Sequence, residues 1–272
     1  MNQEFDIYFH IGLPKVASTF LQREIFPNLI SIEFHPKHKF YEFKRLKGLD
    51  LKKKHLFSFE KFRGLEEAVE EIIEYFPEAK FIFLVRRQDQ WILSKYKYYI
   101  RKHGWKDFED YFDIENNKGV LRREDLFFSD KIKHIERLSN SKPLVLTYDL
   151  LKANPDLFFQ RITQYTGTNI SSKARQKRIL KKAFSEKQLI FLRSFNRIYR
   201  YKEVKTQYRF LNILHYRHRQ HLLHVVAFFC QFFPDFLIGQ RTLIDDMSIF
   251  NNIRSYYKED WKYCIEYSKF MK

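Results

Sequence analysis

The segment FDIYFHIGLPKVAST, running from Phe5 to Thr19, decides the fold. Phe5–Ile11 is a short apolar run of strand type, Gly12-Leu13-Pro14 form a turn, and a helical stretch follows from Ser18 to about Phe26. A strand, a tight turn and a helix start rich in Ser and Thr make an anion site. The first amides of a helix lack acceptors within it, and the helix dipole favours negative charge there. Lys15 adds a full positive charge, and Ser18 and Thr19 add hydroxyl donors. The plain alternative is a connecting loop with an N-capping serine.

Outward from this segment, strand and helix signals alternate through the first 150 residues. His55–Glu60 (HLFSFE) reads as a strand. Leu65–Phe76 is an amphipathic helix, with Leu65, Ala68, Val69, Ile72, Ile73 and Phe76 on one face, glutamates on the other, and Pro77 as its stop. Lys80–Arg86 (KFIFLVR) is a run of buried-strand type, followed by a helix from about Gln88 to Lys102 that Gly104 ends. Pro143–Tyr148 is a further apolar run, and Asn154-Pro155 starts a helix reaching Tyr165, with Gly167 as C-cap. Short apolar strands alternating with helices predict an α/β fold, a parallel sheet covered on both faces. From about Ser171 onward the pattern is wholly helical, and no linker is visible. The expectation is one domain over 1–272, with an α/β core at 1–170 and a helical, basic part at 171–272 packed on it.

Composition narrows the partners. The 272 residues include 30 Phe and 17 Tyr, enough for a large core, and only two cysteines, too few for a disulfide framework. Lys and Arg exceed Asp and Glu by 17, a field that draws polyanions: nucleic acid, anionic lipid, nucleotide or acidic polysaccharide. The excess is uneven, because residues 171–219 carry 15 Lys/Arg against only Glu186 and Glu203. The opening MNQEFD has no basic leader followed by a long apolar core, and Leu222–Phe233 is too short to span a bilayer. A cytoplasmic location is expected, with peripheral membrane contact by that apolar helix left open.

An ATP-type phosphate loop needs G-x-x-x-x-G-K-[ST]. Here Ala17 takes the second glycine's place, Ser18 takes the lysine's, and the lysine has moved to position 15, so a magnesium–nucleotide site is poorly served. The string Pro14-Lys15-Val16-Ala17-Ser18-Thr19 instead resembles the 5′-phosphosulfate loop of the sulfotransferase family, a P-K-x-[GA]-[ST]-T segment after the first strand. Ala17 stands where many members have Gly and some carbohydrate sulfotransferases have Ala. A second block resembles the family's 3′-phosphate site: Arg86 ends an apolar run and Ser94 lies eight positions on, although the usual Asn-Pro after the arginine is Arg87-Gln88. Phe59-Glu60-Lys61 resembles the Glu-Lys segment of heparan-type glycan sulfotransferases, where the glutamate is the base.

The resemblance implies a three-layer sheet of P-loop NTPase-like topology and an enzyme using 3′-phosphoadenosine 5′-phosphosulfate (PAPS) without a metal. It implies that Lys15 neutralises the leaving phosphate and that Ser18 and Thr19 hold the 5′-phosphate. Arg86 and Ser94 then hold the 3′-phosphate, and Glu60 takes the acceptor's proton. His10, His35, His38, His55 and His103 are the competing bases. The acceptor is expected to be a glycan or glycolipid, not nucleic acid, with 171–219 forming part of its cleft or lid. A P-loop kinase and a non-catalytic polyanion binder remain as alternatives. His215, His218, His221 and His224 recur every three residues, but each step turns about −60° on a helix, so at most neighbours share an ion and no metal site is expected. Cys230 and Cys264 are expected to stay reduced.

Overall fold

The computed structural model describes residues 6–45, 53–61, 63–171, 184–199, 207–233 and 242–269. Part of the basic stretch 171–219 therefore lies outside the described residues. Strand β1 (Ile7–Gly12) is buried along its whole length, as a strand covered on both faces must be. It pairs in parallel with β3 (Lys54–Glu60) on one side and β4 (Lys80–Val85) on the other, with β2 (Ile32–His35) and β5 (Leu144–Thr147) outermost. The order β2-β3-β1-β4-β5 makes a five-stranded, all-parallel sheet, so the α/β expectation holds. The connection leaving β1 runs toward β2 and that leaving β4 runs toward β5. Such divergence opens a crevice beyond the carboxyl ends of the two strands.

Along the chain the helices are α1 (Ser18–Phe20), α2 (Leu65–Tyr75), α3 (Gln88–Arg101), α4 (Phe108–Tyr111), α5 (Phe128–Leu138), α6 (Tyr148–Ala153), α7 (Pro155–Thr166), α8 (Glu186–Ile198), α9 (Arg209–Phe229), α10 (Ile249–Tyr256) and α11 (Lys258–Lys269). The chain divides into two compact units. One takes in Met1–Trp91, Glu124–Leu180 and Arg254–Lys272; the other takes in Ile92–Arg123 and Lys181–Ile253.

The first unit holds the sheet. Phe9 stacks on Phe57 at 5.3 Å and meets Phe40, Phe43 and Phe81 at 5.5–6.0 Å, an aromatic layer on one face of β1. Helix α2 buries Leu65, Ala68, Val69 and Ile72 as its periodicity requires, and Phe76 caps it through the Ile72 carbonyl. Helix α7 starts with Asn154 accepting from the Leu157 amide and ends on Gly167 in left-handed backbone, both as anticipated.

Helix α5 was not legible in the sequence, and neither was its cap. Its own N-cap, Phe127, has no side chain able to accept a hydrogen bond. The carboxylate of Asp260 on α11 fills that role, taking the amides of Phe128 at 3.2 Å and Ser129 at 2.8 Å, with Gln88 as a third donor. Burial raises the Asp260 pKa, while these donors oppose the shift.

In the second unit, Ser185 and Gln188 close a capping box at the start of α8. Helix α3 ends through a left-handed His103, and Gly104 follows because a Cβ there would lie 2.2 Å from the Tyr99 ring. Asn196 donates to the carbonyls of Ile100 and Gly104, closing that end. Helix α9 buries Leu223 and Ala227 but leaves Phe210, Leu214, Val225, Phe228 and Phe229 exposed. Its histidines 215, 218, 221 and 224 are all exposed. Cys230 and Cys264 are both buried free thiols.

Asp260→Ala strands two backbone donors and one side-chain donor. We expect it to destabilise the protein by about 2–3 kcal/mol in denaturant unfolding. Asp260→Asn, which keeps an acceptor, should cost clearly less; equal losses would remove the capping role.

Candidate functional site

Residues 13–17 carry the chain from β1 into α1. Leu13 and Val16 are fully buried and anchor this loop, while Pro14 and Lys15 stay half-buried and Thr19 is exposed. Two of its carbonyls are pinned. Trp91 donates its indole N–H to the Pro14 carbonyl at 2.7 Å, and Arg86 reaches the Lys15 carbonyl through Nη1 at 3.4 Å. A trans peptide directs its N–H opposite to its carbonyl, so the Lys15 and Val16 amides face away from these groups. Lys15 and Ala17 both lie in left-handed backbone, with φ of 73° and 76°. A residue other than glycine gives up about 1–2 kcal/mol there, and such strain persists where the surroundings enforce it. Amides flanking left-handed residues form the concave donors that hold anions.

The start of α1 has no cap of its own, because its N-cap is Ala17. Among the described residues, the amides of Val16, Ala17, Ser18 and Thr19 donate to no backbone carbonyl. The helix then widens into a π-turn over Leu21–Ile25. Ser18 Oγ is buried with no hydrogen-bond partner. A buried hydroxyl left without a partner costs free energy that a bound anion recovers.

Arg86 and Arg87 follow β4 and separate in role. Arg87 is committed to Asp89, through Nε at 2.7 Å and Nη2 at 3.1 Å, and Arg254 takes the same carboxylate at 2.6 Å. Asp89 is only 2% exposed, and its pKa is lowered: hydrogen bonds to Arg87 and Arg254 outweigh the raising effect of burial. Arg86 stacks on Tyr148 at 4.4 Å, its Nε has no partner, and burial pulls its pKa below the usual arginine range. A buried guanidinium with an open donor is a site for an oxyanion. Tyr148 and Trp91 escaped the sequence reading, although Tyr148 closes an apolar run and so occupies a strand's carboxyl end.

Glu60 ends β3 directly opposite Gly12 in the ladder, and the Lys61 amide donates to the Gly12 carbonyl. Its half-buried carboxylate makes no hydrogen bond or ion pair among the described residues. The loop, Arg86 and Glu60 are thus brought together at the carboxyl edge of β1, β3 and β4. Ser94 stands on α3 in the second unit.

Of the competing bases, His10 is fully buried. Its Nδ1 lies 2.6 Å from Ser58 Oγ, which also accepts from Gln22 at 2.9 Å. The other ring nitrogen, Nε2, is buried with no hydrogen-bond partner. Burial lowers the His10 pKa to about 3, so it is a weak base. His35 and His55 face each other, 3.1 Å apart.

No protein-family model matches the chain, and no curated protein matches it. Solved structures do. The sulfotransferase from Alicyclobacillus acidocaldarius superposes with a TM-score of 0.50 at 11% identity, over 63% of this chain and 86% of that one. A mouse sulfotransferase complexed with PAP gives 0.44 at 16% identity, over 62% and 61%. The sulfotransferase domain from the curacin biosynthetic pathway gives 0.42 at 13%, over 63% and 77%. At these identities the likeness is one of fold: the chain has the sulfotransferase fold, with its five parallel strands.

Inorganic pyrophosphate tests the two arginines. At a hundredfold above its Kd it should raise the melting temperature by about 5 °C or more. Arg86→Gln should remove most of that rise. Arg87→Gln should lower the unliganded melting temperature yet keep the rise. The opposite pattern would transfer the anion site to Arg87.

Proposed function

We propose that the chain transfers a sulfuryl group from PAPS to a hydroxyl of a glycan or glycolipid. The observation that carries this reading is the contact of Arg86 with the Lys15 carbonyl, which joins two cationic blocks far apart in sequence at one strand edge. The unsatisfied Ser18 hydroxyl and Arg86 Nε are polar groups a phosphorylated ligand would satisfy.

In this reading the loop amides with Ser18 and Thr19 hold the 5′-phosphate, and Arg86 holds the 3′-phosphate, joined by Ser94 on the resemblance given above. As the acceptor oxygen bonds sulfur, its proton passes to Glu60. The bond from sulfur to the phosphate oxygen breaks, and its electron pair stays on the phosphate. Lys15 and the loop amides meet that charge, which is electrostatic work that calls for no metal in this step. An acceptor hydroxyl is a poor nucleophile until it loses its proton, so an unpaired carboxylate at the strand end suits the base's role. The kinase alternative is disfavoured by the position of Lys15, which does not precede the helix hydroxyl.

Calorimetry separates the readings. Adenosine 3′,5′-bisphosphate should bind at micromolar Kd, and ATP with magnesium should not; the reverse preference makes the chain a kinase, and silence from both leaves a polyanion binder. With labelled PAPS and a mixed glycan acceptor, Lys15→Ala should lower kcat about 10²–10³-fold with the fold intact. Glu60→Gln should lower it about 10²–10⁴-fold while the bisphosphate affinity stays unchanged. Full turnover in Glu60→Gln moves the base elsewhere.

A glycolipid acceptor suits a protein that meets membranes at their surface, and we extend the proposal to α9. No described helix is long and apolar enough to cross a bilayer. Helix α9 nevertheless exposes Phe228, Phe229 and the 72%-exposed Phe210, and carries the exposed cation Arg217, in a chain of net charge +17. Aromatic rings with basic neighbours fit an anionic lipid interface. The protein should pellet with phosphatidylglycerol vesicles and release at high salt. The double change Phe228→Ser, Phe229→Ser should weaken this at least tenfold, and unchanged pelleting would exclude α9 as the contact.

A further inference from the structure

The edge of the sheet remote from β5 holds a cluster that sulfuryl transfer does not use. Strands β2 and β3 pair with Glu33 opposite His55 and His35 opposite Phe57. Paired residues of a parallel ladder share a face with residues two positions along, so all four project together. His35 Nε2 lies 3.1 Å from His55 Nδ1 and 3.9 Å from Glu33 Oε1. One ligand atom from each of the three residues lies within 4.8 Å of the others. On the other side of the ring, His35 Nδ1 faces Glu42 Oε2 at 3.9 Å, and Phe57 stacks beneath at 4.2 Å and 11°. Both histidines are buried and Glu33 is 51% exposed.

We propose that Glu33, His35 and His55 bind one divalent transition-metal ion, zinc in the first place, with a water completing the tetrahedron. Two nitrogens each about 2.05 Å from a tetrahedral zinc lie roughly 3.3 Å apart, close to the separation of the two rings here. The exposed glutamate has the freedom to close the remaining gap. Glu42 stands where a carboxylate orients a ligating imidazole through its other nitrogen, and the Phe57 ring fixes the plane of His35. Imidazole with carboxylate suits zinc better than magnesium or calcium, which take oxygen ligands.

A simple hydrogen bond between the rings accounts for the 3.1 Å contact, but not for two carboxylates gathered around the same imidazole. Burial pushes the pKa of both histidines down, which favours the neutral rings a metal requires. Lys39 and Lys53 add positive charge nearby, yet neither hydrogen-bonds to the cluster. His55 is five residues before Glu60, about 16 Å along the strand, so the ion would tie β2 and the Lys37–Arg45 turn to β3 without entering the phosphate site.

The full chain, stripped with a chelator, decides the matter. Zinc at a hundredfold above its Kd should raise the melting temperature by about 5 °C or more, and cobalt in its place should give the intense visible absorption of a tetrahedral ion. Glu33→Gln, at an exposed position, should weaken cobalt binding at least tenfold while leaving adenosine 3′,5′-bisphosphate affinity unchanged. His55→Gln should abolish cobalt binding; if that variant fails to fold, Glu33→Gln decides. Changing His218 and His221 on α9 to Gln should leave the response intact. The proposal is overturned if neither ion gives a signal, if cobalt binds Glu33→Gln as it binds the parent, or if the α9 variant alone loses it.

Discussion

A peptide plane cannot turn its carbonyl and its N–H the same way, and the loop from β1 into α1 is built on that constraint. Trp91 and Arg86, both following β4, hold the carbonyls of Pro14 and Lys15. The Lys15 and Val16 amides are thereby turned away from Trp91 and Arg86. Two left-handed residues that are not glycine complete the bend, and the buried Leu13 and Val16 keep it from relaxing. The functional reading rests on this one arrangement, because it is also what draws the Arg86 cation to the loop.

The fold was largely legible. The five-strand order could not be read, but β1, β3, β4 and β5 each stood out as apolar runs with a helix signal behind them. β2 did not, since its four residues, Ile32–His35, alternate apolar and polar over too short a span to stand out from a loop. Helix α5 was passed over because its cap lies on α11, far outside any local window. At the candidate site, Lys15 and Ser18 stand out through the strand–turn–helix pattern, and Arg86 and Glu60 through their strand-end positions and the family resemblance. Position 17 shows why a pattern works: the backbone is left-handed there, so only small residues are tolerated well, and glycine best. The division of labour between Arg86 and Arg87 was invisible, because it depends on Asp89 and Arg254 meeting across the fold.

Histidine behaves in two ways in this chain. The regular run on α9 caught the eye in sequence, yet its members point around an exposed helix. The pair that does meet, His35 and His55, is separated by twenty positions and joined only by the strand ladder. Periodicity finds residues that share a helix face; only topology finds residues that share a sheet edge.

The trans-cap on α5 also sets a clock for biosynthesis. Asp260 emerges 131 residues after Ser129, and Arg254 emerges 165 after Asp89. At about 5–20 residues per second, a nascent chain waits roughly 7–30 seconds with the first turn of α5 uncapped and the Asp89 carboxylate without its second arginine. Through that interval the half-made sheet can form its ladders, but the α5 layer that covers it has its first-turn amides unmet.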